Sequence, residues 1–240
     1  MNNQELLDKI SYSVIQGNLN VKYPGHNLRL KGQPGVIDLM QKALNQNIDP
    51  KEIIVECLAK PMDEVIEKYE TDDYLAPHVL ISAKCVGVAM DMLAPDLEEA
   101  GIMQPKFVIA VVKGDCHEIG AKYVALMLKG VGYKTINLGS NISANRIVET
   151  VKNHEAAYVG LSAFYAPARG EMEHVITKLE AVGIRDEVKV VIGGAATSHQ
   201  FAEQIGADAY CENALQVPEM LKRLDNWSGF AGAELNQKAA

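Results

Sequence analysis

From Lys106 onward, short apolar runs alternate with segments of helical periodicity, and this alternation constrains the fold more than any other feature of the chain. The runs predict strands and the segments between them predict helices. The predicted strands cover residues 107–112, 134–138, 158–161, 188–192 and 208–210. Strands that alternate with helices indicate a parallel sheet with right-handed crossover connections.

The first half of the chain has a different pattern, because apolar residues recur there only at helical spacing. Leu6, Ile10 and Val14 form one such stripe, and similar stripes continue to about residue 93. We therefore predict a helical domain over 1–98, an α/β domain over 99–225 and a disordered tail over 226–240, with a linker at 95–105. The expected fold class is a helical bundle followed by a five-stranded parallel sheet with flanking helices, Rossmann-like or flavodoxin-like.

Composition excludes several classes of function. The net charge of −8 argues against sequence-independent nucleic-acid binding, which needs clustered Lys and Arg. No apolar run reaches the roughly 20 residues of a membrane-spanning helix, and the first residues lack the profile of a signal peptide. The four cysteines are scattered without a CxxC pair, which favours a reduced cytoplasmic protein.

The loop after the first predicted strand carries the strongest candidate for a functional site. It reads Gly-Asp-Cys-His-Glu-Ile-Gly and contains Asp115, His117 and Gly120. Open α/β sheets bind ligands at the carboxyl ends of their strands. A histidine in such a loop is well placed to ligate a metal, and an aspartate two residues earlier can hold its other ring nitrogen. A glycine at the start of the next helix lets a bulky group approach the backbone.

Two further loops leave the same edge of the predicted sheet. Ser162 and Phe164 follow the third strand, and Gly193 and Gly194 follow the fourth. Together with the first loop they resemble the pattern DxHxxG, SxL, GG of the cobalamin-binding domain, at the separations typical of that family. Phe164 stands where the pattern has leucine. The helical first half, with the segment from 73 to 90, resembles the helical cap domain that precedes the cobalamin-binding domain in methionine synthase and in corrinoid proteins of anaerobic methyltransferase systems.

The resemblance implies a cobalamin cofactor whose cobalt is ligated by His117 in place of the cofactor's own dimethylbenzimidazole. Asp115 would hold the His117 ring, the glycines would make room for the displaced nucleotide tail, and Ser162 would bond the buried benzimidazole. The residues expected to contact the cofactor are Asp115, Cys116, His117, Glu118, Ile119, Gly120, Ser162, Phe164, Gly193, Gly194 and Leu75, with His117 as the metal ligand.

Simpler interpretations of these residues remain open at this stage. His117 could be a surface histidine, Asp115 a helix N-cap, and the Gly193–Gly194 pair a plain turn. Leu75, aligned with the apolar residue that shields the methyl group from above, could be ordinary core. Cys116 could be mistaken for a nucleophile or a second ligand.

One position departs from the methionine-synthase pattern. A hydroxyl residue there lies six positions after the SxL serine and completes a His–Asp–Ser relay, whereas this chain has Ala168. The third member of the relay is therefore missing, or it is supplied by Tyr165, Arg169 or water.

The resemblance implies a methyl carrier that catalyses no reaction without its partner enzymes. Its expected partners are a substrate:corrinoid methyltransferase, a methylcorrinoid:tetrahydrofolate or coenzyme M methyltransferase and a corrinoid-reductive activase, with no nucleic acid and no membrane. The alternatives are the cobalamin-binding subunit of an adenosylcobalamin mutase and a cobalamin-based light sensor. The methyl donor, which could be methanol, a methylamine, a betaine or an aryl methyl ether, is not determined by the sequence.

Overall fold

The structure is a computed structural model that describes residues 2–100 and 104–225. The chain divides into two compact units. One contains the helical residues up to 100 together with 129–132, and the other contains 104–128 and 133–225. The predicted tail at 226–240 lies outside the described residues. The domain boundary at 98 stays a prediction.

The first unit is helical, as the sequence predicts. Its α-helices are α1 (Asn3–Ile15), α2 (Val36–Asn45), α3 (Pro50–Glu52), α4 (Lys60–Glu70) and α5 (Ala76–Glu99). The stripe formed by Leu6, Ile10 and Val14 on α1 is fully buried, which confirms the helical periodicity of that segment. Asn2 caps α1 by accepting a hydrogen bond from the backbone N–H of Glu5.

Two helical segments differ from the sequence prediction. The sequence predicts separate helices over 52–58 and 62–69, whereas a π-helical stretch, Ile53–Ala59, joins α3 to α4 without a break. Helix α5 continues through Pro95 to Glu99, so the linker predicted from Pro95 is wrong at its start. Proline costs about 3 kcal/mol inside a helix. The buried side chains of Leu93 and Leu97 on either side of it offset that cost.

The second unit contains the predicted parallel sheet. Its strands are β1 (Lys106–Val111), β2 (Lys134–Asn137), β3 (Tyr158–Ser162), β4 (Lys189–Gly193) and β5 (Ala209–Cys211). Its helices are α6 (Ile119–Gly130), α7 (Ala144–His154), α8 (Gly170–Ala181), α9 (His199–Ile205) and α10 (Val217–Asp225). All pairs are parallel and the order is β2-β1-β3-β4-β5. This is the flavodoxin-like order, whose ligand crevice lies where the order reverses, between β1 and β3.

The two faces of the sheet are filled differently. One face carries large aliphatic residues such as Val108, Val159 and Val190, which form a core with α7, α8 and α9. The other face carries large residues such as Ile109 and Val191, but it also carries Gly160, Ser162 and Gly193, whose side chains fill little space. Because side chains alternate between the faces of a strand, Gly160 and Ser162 share this face, and the register places Ser162 beside Gly193. The second face is therefore the one with room for a ligand.

Among the described residues, α5 alone is long and apolar enough to span a membrane. Half of its most apolar stretch is buried within the protein, as in the central helix of a helical bundle. Its length and composition are therefore weak evidence for a membrane, and the cytoplasmic location stays a prediction.

Candidate functional site

The crevice between β1 and β3 brings two distant loops into direct contact. Asp115, in the loop after β1, is buried, with 2% of its surface exposed. One of its carboxylate oxygens, Oδ2, accepts hydrogen bonds from the backbone N–H groups of Phe164 and Tyr165 in the loop after β3, at 2.5 and 2.9 Å. The sheet order explains the contact, because β1 and β3 are neighbours although 49 residues separate Asp115 from Phe164.

The second oxygen of Asp115 orients His117. Oδ1 accepts the backbone N–H of His117 at 2.9 Å and lies 2.6 Å from Nδ1 of its ring. A carboxylate can only accept, so the ring proton is assigned to Nδ1 and the lone pair to Nε2. The side chain of His117 is 53% exposed. The loop therefore presents an imidazole whose Nδ1 is held by a carboxylate, so that Nε2 is the ring nitrogen available to a metal.

The ionisation of Asp115 follows from this geometry. Burial raises the pKa of the carboxyl group, but the hydrogen bonds from Tyr165, His117 and Phe164 to the charged form outweigh it and hold the pKa well below its usual range. Asp115 is therefore an anion at neutral pH. The interpretation of Asp115 as a helix N-cap is wrong. Helix α6 begins only at Ile119, and the backbone N–H that the Asp115 carboxylate accepts within its own loop is that of His117, which precedes the helix.

The same bonds account for the missing hydroxyl at position 168. A carboxylate offers about four acceptor sites, and Asp115 uses four with His117, Phe164 and Tyr165. Ala168 is buried with 6% exposure. Tyr165 thus contributes through its backbone N–H, and the guanidinium of Arg169 instead lies over the ring of Phe201, 4.9 Å from its centroid. Backbone groups occupy the place that a relay hydroxyl would need.

A cavity of about 130 Å³ lies on the open face of the sheet, beside α6 and α10. At the carboxyl ends of the strands it is lined by Gly120, Ser162, Gly193 and Gly194. Four of the residues predicted to contact the cofactor therefore line one cavity. Its volume is close to that of an engineered apolar cavity of about 150 Å³ that holds a benzene molecule.

The glycines of the cavity serve different purposes. A Cβ on Gly120 would have no atom within 4 Å, so its absence leaves the mouth of the cavity open. A Cβ on Gly193 would stand 2.9 Å from the carbonyl oxygen of Cys211. Gly194 has φ of +101°, and its Cβ would stand 2.3 Å from the carbonyl oxygen of Ala163. Gly194 is thus required by the turn itself, while it also lines the cavity.

Matches to known proteins agree with this site. The family model described as "B12 binding domain" matches residues 105–218, and a second model with the same description matches 33–94. Trimethylamine corrinoid protein 1 of Methanosarcina acetivorans is 32% identical over 75% of this chain and 85% of its own length. Dimethylamine corrinoid protein 1 of the same organism is 34% identical over 79% and 89%. The chain belongs to the corrinoid protein family.

The fold agrees with a solved structure as well. The methanol:cobalamin methyltransferase complex from Methanosarcina barkeri superposes with a TM-score of 0.72, at 22% identity, over 97% of this chain and 82% of that one. Family membership confirms the resemblance, the corrinoid cofactor and the methyl-carrier function expected from the sequence. The relatives do not favour the mutase subunit or the light sensor.

The remaining candidate residues lie in exposed positions. Cys116, Glu118 and Ile119 surround His117 on the surface, and Glu118 pairs with Lys122. The sulfur of Cys116 lies within 4.8 Å of ligand atoms of Asp115 and His117, but Asp115 is already saturated with hydrogen bonds. His117 and Cys116 are thus the members of that group that can reach a metal.

Leu75 belongs to the helical unit. It precedes α5 as its N-cap residue, and its backbone N–H donates to Nδ1 of His78. Its side chain is 63% exposed, so the interpretation of Leu75 as ordinary core is wrong. Its predicted contact with the cofactor stays a prediction.

Sequence reasoning missed the inner end of the cavity, which is formed by Phe107 on β1 and Gly160 on β3. A signal was present, since Gly160 and Ser162 alternate with large aliphatic residues along one strand. Glycine inside a strand often marks the close approach of another group.

Proposed function

We propose that this corrinoid protein holds its cofactor through Nε2 of His117 and receives a methyl group from one methyltransferase for delivery to a second. The observation that carries the proposal is the Asp115–His117 pair, which presents a free imidazole lone pair beside the cavity at the crevice between β1 and β3. When bound, the corrinoid supplies a cobalt ion that can take up and release a methyl group.

The residues of the chain have separate tasks in this scheme. Asp115 keeps the proton of His117 on Nδ1, so that Nε2 remains a ligand. The cavity lined by Gly120, Ser162 and Gly193 would hold the nucleotide tail of the bound corrinoid. Phe164 and Ile119, both exposed, offer apolar surface beside His117 to the corrin ring. We propose Leu75 as the residue that shields the methyl group.

We further propose the partners. A substrate:corrinoid methyltransferase loads the carrier, a methylcorrinoid:tetrahydrofolate or coenzyme M methyltransferase unloads it, and a reductive activase restores cobalt that has become oxidised. The names of the similar relatives favour a methylated amine as the methyl donor. The donor is bound by the loading enzyme, so an assay of methyl transfer to this protein by its loading methyltransferase, with amines, methanol, betaines and aryl methyl ethers in turn, tests that assignment.

The ligand assignment has a direct spectroscopic test. The wild-type protein, His117→Ala and the control His199→Ala, an exposed histidine on α9, are each reconstituted with cobalamin and compared by absorption and by electron paramagnetic resonance after one-electron reduction. We expect nitrogen splitting from the axial ligand in wild type and His199→Ala and its loss in His117→Ala.

Labelling with ¹⁵N-histidine identifies the source of that nitrogen. The splitting should change from a triplet to a doublet if the ligand belongs to the protein, because ¹⁵N has a nuclear spin of one half. A nitrogen splitting that is changed neither by the ¹⁵N label nor by the His117→Ala substitution contradicts the assignment. Failure of the wild-type protein to bind any corrinoid would contradict the proposed function as a whole.

A further inference from the structure

The inner end of the cavity is built by one close contact between β1 and β3. Phe107 is fully buried, and a Cβ on Gly160 would stand only 2.6 Å from Cε1 and 2.8 Å from Cζ of its ring. No side chain larger than hydrogen fits at position 160 while the ring stays in place. The ring of Phe107 therefore lies over the bare backbone of β3 and closes the cavity at that end.

An aromatic cluster behind Phe107 limits where its ring can move. The ring stacks on Tyr158 with centroids 6.1 Å apart and an angle of 14° between the planes. Tyr158 in turn meets Tyr133 edge to face at 5.5 Å. Both tyrosines are almost completely buried. A group that pushes the Phe107 ring away from Gly160 therefore pushes it into the cavity, because packed interiors have little other free space.

The two ends of the cavity differ in chemistry. The register pairs Val111 with Ser162 and Ser162 with Gly193, so Ser162 lies at the carboxyl edge, where polar Asn213 also lines the cavity. Phe107 lies near the start of β1, at the other end. The side chains that line this inner part besides Phe107 are Ile109, Val124 and Val191. A ligand must therefore be polar at the mouth and apolar at its tip.

We infer that the Phe107–Gly160 contact makes the cavity selective for corrinoids whose nucleotide base is an apolar benzimidazole and disfavours those with a purine base. The inference rests on the proposed function, since it concerns the same cofactor. A benzimidazole presents only carbon and hydrogen to the apolar end. Adenine would bury its exocyclic amine there without a hydrogen-bond partner, which is costly. Phe107 and Gly160 are thus specificity-determining residues for the base.

The wild-type protein is tested by measuring the dissociation constants of three corrinoids by absorption titration. These are cobalamin, its adenine-containing counterpart and cobinamide, which lacks the nucleotide. We expect cobalamin to bind about tenfold or more tightly than the adenine form, the ratio for one buried unpaired polar group. The affinity for cobinamide depends only on the contacts made by His117 and by the corrin surface, because cobinamide has no nucleotide to enter the cavity.

Three variants locate the selectivity. Gly160→Ala should weaken cobalamin about tenfold by forcing the ring into the cavity, and the double variant Phe107→Leu/Gly160→Ala should regain most of that loss. Phe107→Tyr alone should reduce the preference for cobalamin over the adenine form about threefold or more, because its hydroxyl gives the exocyclic amine of adenine a hydrogen-bond partner at the apolar end. Val190→Ala, a buried change on the opposite face of the sheet, is the control for general loss of packing.

The outcomes separate this inference from the proposed function. Cobinamide affinity should be unchanged in every variant. Equal binding of the adenine form and cobalamin by the wild type, or an equal loss of cobinamide and cobalamin affinity in Gly160→Ala, overturns the inference and leaves the proposed function standing. If Gly160→Ala does not fold, Phe107→Tyr is the test, and a ratio of the cobalamin and adenine-form dissociation constants that is unchanged from wild type overturns the inference. A wild-type protein that binds none of the three corrinoids overturns the proposed function and this inference with it.

Discussion

The imidazole of His117 lies against the phenyl ring of Phe164, with centroids 4.5 Å apart and the planes tilted by 34°. The backbone N–H of the same Phe164 donates to Asp115, which holds the other side of the His117 ring. One residue in the loop after β3 therefore restrains the loop after β1 at two points. The phenylalanine that replaces the leucine of the family pattern thus acts as a second support for the candidate ligand.

Replacement of Phe164 by Ala tests this support. The backbone bond to Asp115 remains, whereas the ring contact, worth about 1 kcal/mol, is lost. We expect a downfield shift of the His117 ring protons in the apoprotein by NMR, because the ring current of Phe164 disappears. Tyr165→Ala is the matched control, since Tyr165 is equally exposed and also donates its N–H to Asp115. A shift of the same size in both variants would contradict a specific contact with Phe164.

Asp115 and His117 should differ in their effects on stability. Asp115→Asn places an amide group against backbone N–H donors, so we expect a loss of about 1–3 kcal/mol in the free energy of unfolding by urea denaturation. Corrinoid affinity should fall by roughly 10–100-fold, as for other residues that orient a ligating histidine. His117→Ala should leave stability within about 0.5 kcal/mol, because the side chain is largely exposed. Equal stability of the two variants would show that the bonds to Phe164 and Tyr165 contribute little.

Cys116 should be the reactive thiol among the four cysteines. Burial raises the pKa of Cys57 and Cys85 to about 12 and that of Cys211 to about 11, whereas Cys116 is exposed. We expect a disulfide reagent at pH 8 to modify Cys116 rapidly and the other three only upon unfolding. Because Cys116 adjoins His117, bound cobalamin should slow its modification. Mass spectrometry of the labelled peptides identifies the site, and fast labelling of Cys211 in the native protein would argue against the closed cavity wall.

Glu171 should make the free energy of unfolding depend on pH. Its carboxylate accepts the backbone N–H of Ala144 at the start of α7, at 2.8 Å. Burial raises the pKa of Glu171, but the hydrogen bonds from Ala144 and His174 lower it below 4.5 overall. A depressed pKa in the folded state stabilises the protein above the unfolded value, and the contribution disappears as the pH falls through the folded value.

We therefore expect Glu171→Ala to lower the free energy of unfolding by about 1 kcal/mol at pH 7, as for loss of a helix cap. The difference from wild type should shrink as the pH falls below 4.5, the ordinary value of this carboxyl group. Glu149→Ala, which removes only an exposed partner of Arg146 on α7, is the control and should change stability little. A Glu171→Ala deficit that stays constant down to acid pH would contradict the capping role.

The local pattern of the chain determined the elements that do not depend on distant contacts. Leu6, Ile10 and Val14 recur at the helical period, and burying that stripe is the only way to remove it from water, so α1 follows from sequence. The strands of the second unit follow for the same reason from their apolar runs and flanking turns. The helix end predicted at Pro95 is wrong because a proline disfavours a helix interior locally. The burial of Leu93 and Leu97 offsets the cost of the proline in the folded chain.

The sequence by itself determined that Asp115 and His117 lie in the loop after one strand, that Ser162 follows a second strand and that glycines follow a third. Only the tertiary structure decided that Phe164 supports both members of the first pair and that Phe107 lies on Gly160 at the end of the cavity. The physical reason is that these contacts join residues far apart in the chain, and their distances depend on strand order and register, which no single segment encodes.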